Sequence, residues 1–278
     1  MRTLVHLSDL HFGRVDDALL DPLRARIEAI DPDVLVVSGD LTQRAKSEQF
    51  EAARAYLDTL PGPQIIVPGN HDISLYTVFR RFWRPLARYK RYITEDLSPS
   101  YVDDEIAVLG VNTARSLTFK DGRVNDEQIE EIERELAGLD ARLTRIIVTH
   151  HPFDLPESCD ERDLVARAPM AMEVFSRSGV DILLAGHMHI SHAASTAGRY
   201  RIDQFAALVV QAGTATSTRG RGETNSFNVV KVEHERVEVE RFGWDEVGKQ
   251  FASVSTEIFI RRGSMWHPHI DGLMAVGI

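Results

Sequence analysis

Near its start the chain reads Thr3-Leu4-Val5-His6-Leu7-Ser8-Asp9-Leu10-His11, an apolar run that ends in a carboxylate and an imidazole. A second apolar run, Val34–Ser38, is followed in the same way by Gly39 and Asp40. Buried strands that alternate with helical segments are typical of an α/β fold with parallel strands. The loops after such strands gather at one edge of a sheet, so these polar residues are expected to lie close together.

The same alternation continues through most of the chain. Apolar residues at helical spacing predict helices around Leu20–Ile30 and Phe50–Leu60. A third predicted helix opens with a spacing like that of a capping box at Asn125 and runs to Leu139. A less regular helix is predicted from about Leu75 to Tyr89, disturbed at Pro85. Further strands are predicted at Ile65–Val67, Ile106–Val111, Arg145–Thr149, Asp181–Ala185 and Leu208–Gln211.

The C-terminal part has a different pattern. Val229–Arg241 alternates valine with charged residues, which predicts an antiparallel hairpin with one face in water, and Glu257–Arg261 is a further predicted strand. From Gly263 onward no regular pattern is visible. We therefore expect one domain over residues 1–262 and a C-terminal tail over 263–278, a candidate contact between subunits of a homo-oligomer.

Composition narrows the class of protein. The 278 residues are 43% hydrophobic and 27% charged, as in an ordinary globular protein, and the net charge of −10 disfavours a nucleic-acid partner. No apolar run is long enough to span a membrane, and the start resembles a strand rather than a signal peptide, so a cytoplasmic location is expected. Cys159 is the only cysteine, which excludes an internal disulfide and a thiolate-rich metal site.

Five polar clusters follow strand-like runs and carry the candidate chemistry. They are Asp9-Leu10-His11, Gly39-Asp40, Gly69-Asn70-His71-Asp72, His150-His151-Pro152 and Gly186-His187-Met188-His189. Each cluster alone could be a turn or a structural histidine, but all five in this order favour a metal centre. Carboxylate, imidazole and carboxamide groups without thiolate suit Mn, Fe, Zn or Co and argue against a calcium site. The three glycines at 39, 69 and 186 are expected to let the backbone turn sharply beside the metals.

These motifs resemble the calcineurin-like metallophosphoesterase superfamily from Asp9 to His189. Within it, the Asp-Leu-His start and the blocks at residues 38–42, 68–72 and 149–152 resemble the bacterial class III cyclic-nucleotide phosphodiesterases, although related phosphodiesterases with other substrates share them. The resemblance implies an α/β fold built as a four-layer α/β/β/α sandwich, with two mixed β-sheets face to face. It also implies two divalent or mixed-valence transition metal ions at one edge of the sheets.

The resemblance further implies the ligands. One metal would be held by Asp9, His11, Asp40 and His189, and the other by Asp40, Asn70, His150 and His187, so that Asp40 bridges the pair. His150 is preferred to His151 because it directly follows a strand, and the choice stays open at this point. Two such metals lower the pKa of a shared water, and the hydroxide would attack phosphorus in line.

Two residues beside the metals are candidate catalytic groups by the same resemblance. His71 would contact the phosphate and either stabilise the transition state or protonate the leaving alkoxide. Asp72 would orient His71 or another nearby group, or would only cap the turn in which it lies.

The leading hypothesis is therefore a metal-dependent phosphodiesterase acting on a small-molecule phosphodiester, with 3′,5′-cAMP as the best guess. Hydrolysis of a glycerophosphodiester or of a lipid-A precursor pyrophosphate is the alternative. A DNA nuclease is disfavoured by the net charge, and a non-catalytic scaffold by the complete ligand set. The basic segment from Arg80 to Arg91 could border the site or be a solvated helix face, and the run Gly213–Gly222 could shape its rim, a sheet edge or a dimer contact.

Overall fold

The computed structural model of the protein describes residues 1–74, 83–116, 121–156, 159–219 and 222–269. The fold is built on two β-sheets. In chain order the strands are β1 (Arg2–Leu7), β2 (Val34–Val37), β3 (Gln64–Ile66), β4 (Ser100–Val102), β5 (Ile106–Gly110), β6 (Thr144–Val148), β7 (Ile182–Ala185), β8 (His192–Ser195), β9 (Phe205–Ala206), β10 (Leu208–Gln211), β11 (Ser226–Glu233), β12 (Arg236–Asp245), β13 (Gln250–Arg262) and β14 (Ser264–Pro268). The helices are α1 (Leu20–Ile30), α2 (Ser47–Leu57), α3 (Ala87–Tyr92), α4 (Asp126–Ala137) and α5 (Ala168–Arg177).

Both sheets are mixed. The first has the order β3-β2-β1-β11-β12-β13-β14-β9 and the second the order β4-β5-β6-β7-β10-β8. In the first sheet β1, β2 and β3 run parallel, and in the second β5, β6, β7 and β10 do so. The parallel strands therefore deliver the loops that follow β1, β2, β3, β6 and β7, which hold the five polar clusters, to one edge of the molecule.

Three apolar clusters separate four layers. Leu4, Val36, Val148 and Leu184 belong to the cluster buried between the two sheets. A second cluster packs α1, α2 and α3 on the outer face of the first sheet, and a third packs α4 and α5 on the outer face of the second. The prediction of an α/β/β/α sandwich with two mixed sheets is confirmed.

Most predicted elements lie within a few residues of their observed bounds. The capping box that opens α4 is present, because the Asn125 side chain accepts a hydrogen bond from the Gln128 backbone N–H and the Gln128 side chain accepts one from that of Asn125. The helix predicted over 75–89 falls partly on residues 75–82, which lie outside the described residues. In its described part Trp83 is helical, the helix then breaks at the proline at position 85, and a separate helix begins at Ala87.

The segment after Gly263 differs from the expected irregular tail. Gly263 adopts φ +64° in the turn, and β14 then pairs with β13 from Met265 to Pro268. The sheet therefore extends beyond the predicted domain end at residue 262. Sequence periodicity missed this strand because its five residues alternate too briefly to give a pattern. Residues 270–278 lie outside the described part of the chain.

No helix within the described residues combines the length and the apolar character that crossing a bilayer requires.

The first testable prediction concerns Trp266, which lies in β14 with only 1% of its surface exposed and packs in the cluster between the sheets. Replacing it with alanine removes the largest side chain of that cluster, so Trp266→Ala is expected to lower the free energy of unfolding by about 3–5 kcal/mol. Urea denaturation measures this change. Trp83, which is 73% exposed, provides the matched control, and Trp83→Ala should change stability by less than about 0.5 kcal/mol. Equal effects of the two substitutions would contradict the placement of β14 in the core.

Candidate metal centre

The loops at the shared edge turn back sharply after their strands. Five candidate ligands have left-handed backbone conformations: Asp9 (φ 54°), His11 (φ 51°), Asp40 (φ 52°), His187 (φ 72°) and His189 (φ 57°). This conformation costs an L-residue about 1–2 kcal/mol, and such residues cluster at functional sites. The surrounding sheets therefore hold these side chains in directions that the isolated loops would not favour.

Two of the three glycines do not act through the turn that the sequence predicted. Only Gly39 has a positive φ, of +94°. A Cβ at Gly69 would lie 2.1 Å from Asp40 Oδ1, and one at Gly186 would lie 1.8 Å from Ser8 Oγ. Glycine at these two positions instead provides space for a neighbouring loop to approach closely.

One group of side chains consists of Asp9, His11 and His189. Asp9 Oδ1 lies 3.4 Å from His11 Nε2 and 3.2 Å from His189 Nε2, and the two Nε2 atoms are 3.4 Å apart. Four ligands that surround a tetrahedral ion at about 2.0–2.2 Å are themselves about 3.3–3.6 Å apart. The three distances among Asp9 Oδ1, His11 Nε2 and His189 Nε2 therefore fit three ligands of one ion. Asp9 Oδ1 is buried and accepts no hydrogen bond from any residue within the described ranges, as expected for an atom that faces a metal.

A second group surrounds His150. Its Nε2 atom lies 3.1 Å from Asn70 Oδ1, 3.2 Å from His187 Nδ1 and 3.4 Å from Asp40 Oδ2. The other ring nitrogen, Nδ1, is 2.8 Å from the carbonyl oxygen of Ser38 and donates to it. This bond fixes the ring with Nε2 facing the group, which is the orientation that metal-bound histidines show.

The neighbouring His151 has another partner. Its Nδ1 atom lies 2.8 Å from Thr113 Oγ1. Its ring still packs beside those of His150 and His187, at centroid distances of 4.9 and 4.7 Å, so the three histidines form one further set that could hold a metal. The contacts to Asn70 and Asp40 nevertheless favour His150, as the sequence did.

Asp40 connects the two groups. The same oxygen, Oδ2, lies 3.7 Å from His11 Nε2 and 3.4 Å from His150 Nε2. The other oxygen, Oδ1, accepts a hydrogen bond of 2.8 Å from the backbone N–H of His71. Asp40 is therefore held by one oxygen while the other faces both candidate metal positions.

Charge at the site is unusual. Asp9 and Asp40 are both buried, yet neither has an arginine or lysine partner among the described residues. Burial alone would raise the pKa of Asp40, but the imidazole of His150 outweighs it and holds that pKa well below its ordinary value. Burial likewise opposes protonation of His150, but the charge of Asp40 raises the pKa of His150 to about 9. Two carboxylates buried in this way require cations beside them.

His71 and Asp72 follow Asn70 but have different contacts. The Nδ1 atom of His71 donates to the carbonyl oxygen of Gln43 at 2.8 Å, and its Nε2 atom lies 3.1 Å from Arg219 Nη1. Since arginine can only donate, His71 Nε2 accepts this bond and the ring is neutral. Burial, as the largest cause, lowers the pKa of His71.

The Asp72 carboxylate contacts backbone amides rather than the His71 ring. It accepts hydrogen bonds from the N–H groups of Leu41 (3.1 Å), Thr42 (2.9 Å) and Gly69 (2.9 Å). These bonds join the loop after β2 to the loop after β3. The geometry therefore favours the turn-capping alternative, in which Asp72 positions the loop that carries Asp40.

A row of threonines also supports the site, a role that the residue pattern alone did not predict. The hydroxyls of Thr214, Thr216 and Thr218 donate to the backbone carbonyls of Asp9 (2.8 Å), Leu10 (2.9 Å) and Arg14 (3.1 Å). The signal was the alternation of threonine with small residues, because side chains two apart in an extended segment lie on the same side. The run at 213–222 was expected to shape a rim, a sheet edge or a dimer contact, and its threonines instead fix the loop that carries Asp9 and His11.

Comparison with known proteins adds independent findings. A family model described as calcineurin-like phosphoesterase matches residues 2–191. The chain is 26% identical over 198 residues to a glycerophosphodiester phosphodiesterase of Enterobacter lignolyticus, covering 62% of this chain and 68% of the relative. It is also 26% identical over 203 residues to a 3′,5′-cyclic adenosine monophosphate phosphodiesterase of Escherichia coli, covering 67% and 69%.

Solved structures share the fold. A dimetal phosphatase from Danio rerio superposes with a TM-score of 0.65 at 13% identity, over 91% of this chain and 98% of that one. A purple acid phosphatase from yellow lupin superposes with a TM-score of 0.68 at 15% identity, over 92% and 53%.

The protonation of His150 gives a testable prediction. With a pKa of about 9, this histidine carries a proton at neutral pH when no metal is bound, and a metal must displace it. Binding of Zn²⁺ to the metal-free protein at pH 7.5 is therefore expected to release close to one proton from this residue, and progressively less as the pH rises above 9.

Calorimetry in buffers of different ionisation enthalpy measures the release. His150→Asn should remove that proton from the total, whereas His234→Asn, which changes a histidine in the β11–β12 turn, should leave the count unchanged. Equal proton release by the His150 variant and the wild type would contradict the placement of this imidazole in the centre.

Proposed function

Since the chain belongs to the calcineurin-like phosphoesterase family and is a metal-dependent phosphoester hydrolase, we propose that it hydrolyses a small-molecule phosphodiester at a two-metal centre. A 3′,5′-cyclic nucleotide such as cAMP is the substrate that we favour. The single observation that carries the two-metal proposal is the position of Asp40 Oδ2, which lies within 3.7 Å of one group of nitrogen ligands and within 3.4 Å of the other.

In this proposal the first ion is held by Asp9, His11, Asp40 and His189, and the second by Asp40, Asn70, His150 and His187. The ligand atoms that the two groups present are imidazole nitrogens and carboxylate or amide oxygens, which accept Mn, Fe, Zn or Co. When bound, a pair of such ions activates a water molecule and neutralises the phosphate oxygens.

The protein itself supplies rigidity and charge balance. The Asp72 bonds to Leu41 and Gly69 and the threonine bonds to the first loop hold the ligands before any ion arrives. Asp9 and Asp40 offset only part of the charge of two divalent cations, so the loaded centre would attract an anionic phosphodiester.

His71 is the proposed group on the leaving side of the phosphate. Its ring is fixed at Nδ1 by Gln43 and packs edge-on to His11 at a centroid distance of 5.0 Å, so Nε2 faces away from Gln43 beside the centre. From there it would bind a phosphate oxygen or pass a proton to the leaving alkoxide.

A glycerophosphodiester is the second candidate substrate. The relative that hydrolyses glycerophosphodiesters and the relative that hydrolyses cAMP are each 26% identical to this chain over similar lengths. The match to a UDP-2,3-diacylglucosamine pyrophosphatase of Chlamydia trachomatis covers only 26% of this chain, which gives weaker support to a pyrophosphate substrate. The net charge of −10 disfavours a nucleic-acid substrate.

Metal-stripped protein reconstituted with Mn, Fe, Zn or Co tests the reaction class. We expect metal-restored hydrolysis of bis(p-nitrophenyl) phosphate well above that of p-nitrophenyl phosphate, because the proposal requires a diester with one negative charge. Assays with 3′,5′-cAMP and with glycerophosphoethanolamine then distinguish the two substrates. Folded protein that binds two ions but hydrolyses none of these compounds would overturn the proposal.

Removing a proposed ligand gives a second prediction. Asn70→Ala deletes the amide oxygen beside His150, and we expect kcat to fall at least about 100-fold, because a ligand that contacts the ion should matter more than the neighbouring groups that tune it. Thermal unfolding of the metal-free variant should stay close to that of the wild type. Metal analysis of the same samples should show loss of one ion, and an active variant with both ions present would contradict the assignment of Asn70.

A further inference from the structure

Arg219 is a cation at the centre that the ligand scheme leaves without a role. Its guanidinium Nη1 lies 3.1 Å from His71 Nε2, the nitrogen that faces the proposed leaving side. Among the described residues no carboxylate forms an ion pair with it, although the chain has a net charge of −10. Glu223, four residues further along, is instead paired with Arg241 at 2.9 Å and accepts the Ser191 N–H.

The backbone that presents Arg219 is held firmly. Its N–H donates to Ser217 Oγ at 3.1 Å, and the Asn225 side chain donates to the Ser217 carbonyl at 2.9 Å. Two residues before Arg219, Ser217 forms an antiparallel β-bridge with Val15. The residue between them, Thr218, donates both its N–H and its hydroxyl to the carbonyl oxygen of Arg14. The threonine row thus fixes both the Asp9 loop and the position from which Arg219 reaches His71.

We propose that Arg219 is a substrate-binding residue, which contacts a non-bridging phosphate oxygen on the leaving-group side together with His71. The inference rests on the proposed function, because it assumes that the phosphate sits between the metal centre and His71.

A phosphate oxygen is a better partner for Arg219 than the imidazole it now contacts. A guanidinium pairs most strongly with anionic oxygens, in bonds about twice as strong as those to neutral acceptors. It presents five N–H donors in a planar fork, and His71 Nε2 occupies only one of them. An incoming phosphate would therefore draw the guanidinium from the ring and free His71 Nε2 for the substrate.

The chemistry assigned to Arg219 is charge stabilisation. Arginine stays protonated in proteins, so it cannot pass a proton to the leaving alkoxide, and that task remains with His71. Its contribution is a fixed positive charge beside a non-bridging oxygen, one of the equatorial oxygens over which the negative charge of the transition state is spread.

Binding of inorganic phosphate to the metal-loaded protein tests the inference directly. Isothermal titration calorimetry of Arg219→Ala is expected to give a phosphate Kd about 10- to 100-fold above that of the wild type, the loss typical of one charged hydrogen bond. Arg219→Lys keeps the charge but not the fork and should give an intermediate Kd. Steady-state kinetics with bis(p-nitrophenyl) phosphate should show a fall in kcat/KM of the same order and rank.

Arg142→Ala provides the matched control. This arginine pairs with Asp140 before β6 begins, at the end of the strand opposite to His150, so its removal changes net charge equally but far from the centre. The control should change the phosphate Kd by less than about two-fold, as expected for a screened distant charge. A Kd for Arg219→Ala within two-fold of the wild type, or equal weakening by both variants, would overturn the inference, as would a wild type that binds no phosphate.

Arg219→Gln keeps most of the side-chain bulk, and thermal unfolding of each variant identifies a loss of binding that comes from misfolding. If Arg219→Ala unfolds early but Arg219→Gln is stable, the Gln variant decides the result by the same two-fold criterion. Failure of the proposed function gives a different result. If the wild type lacks diesterase activity but its phosphate binding still depends on Arg219, the proposed function fails and the role of Arg219 in phosphate binding is supported.

Discussion

The structure depends on the burial of two carboxylates, Asp9 and Asp40, whose neighbours in the described chain are imidazoles, backbone amides and the Ser8 hydroxyl rather than arginine or lysine. A buried negative charge is costly unless a cation or several donors compensate it. Histidine compensates only while it is protonated, and it then cannot bind a metal through the same nitrogen. The arrangement is therefore balanced for metal ions, which satisfy the carboxylates and the neutral imidazoles together.

Apolar burial in the sheets offsets the free-energy cost of the left-handed residues at this edge. Each left-handed residue at the edge costs about 1–2 kcal/mol of folding free energy, and a fully buried leucine or phenylalanine side chain stabilises the fold by about 1.5–3 kcal/mol. The loops are also joined to each other: Asp72 connects the loops after β2 and β3, and Thr214 and Thr216 hold the loop after β1. The side chains that could hold metals are thus fixed from several directions, which preorganises the centre.

Much of this could be predicted from sequence, because strands and the polar residues that end them are local features. The approach of the five clusters follows from the strand pattern, whereas the sandwich and the bridging place of Asp40 are implied by the resemblance to a known family. The distances from Asp40 Oδ2 to the two groups do not follow from sequence, since they depend on loops far apart in the chain. Nor does the contact of Arg219 with His71, which joins residues 148 positions apart. The strand β14 was missed because five residues carry too little periodic signal. The sequence leaves the role of Asp72 open, because capping a turn and orienting a neighbour look alike in it.

The candidate ligands come from both sheets. Asp9, His11, Asp40 and Asn70 follow strands of the first sheet, whereas His150, His187 and His189 follow strands of the second. Each proposed ion would accordingly act as a cross-link between the two sheets, in addition to hydrogen bonds such as that of His150 to Ser38 and that of Thr214 to Asp9. Loss of the ions would then loosen the sandwich from its catalytic end, and cellular metal supply would set the lifetime of the folded protein as well as its turnover.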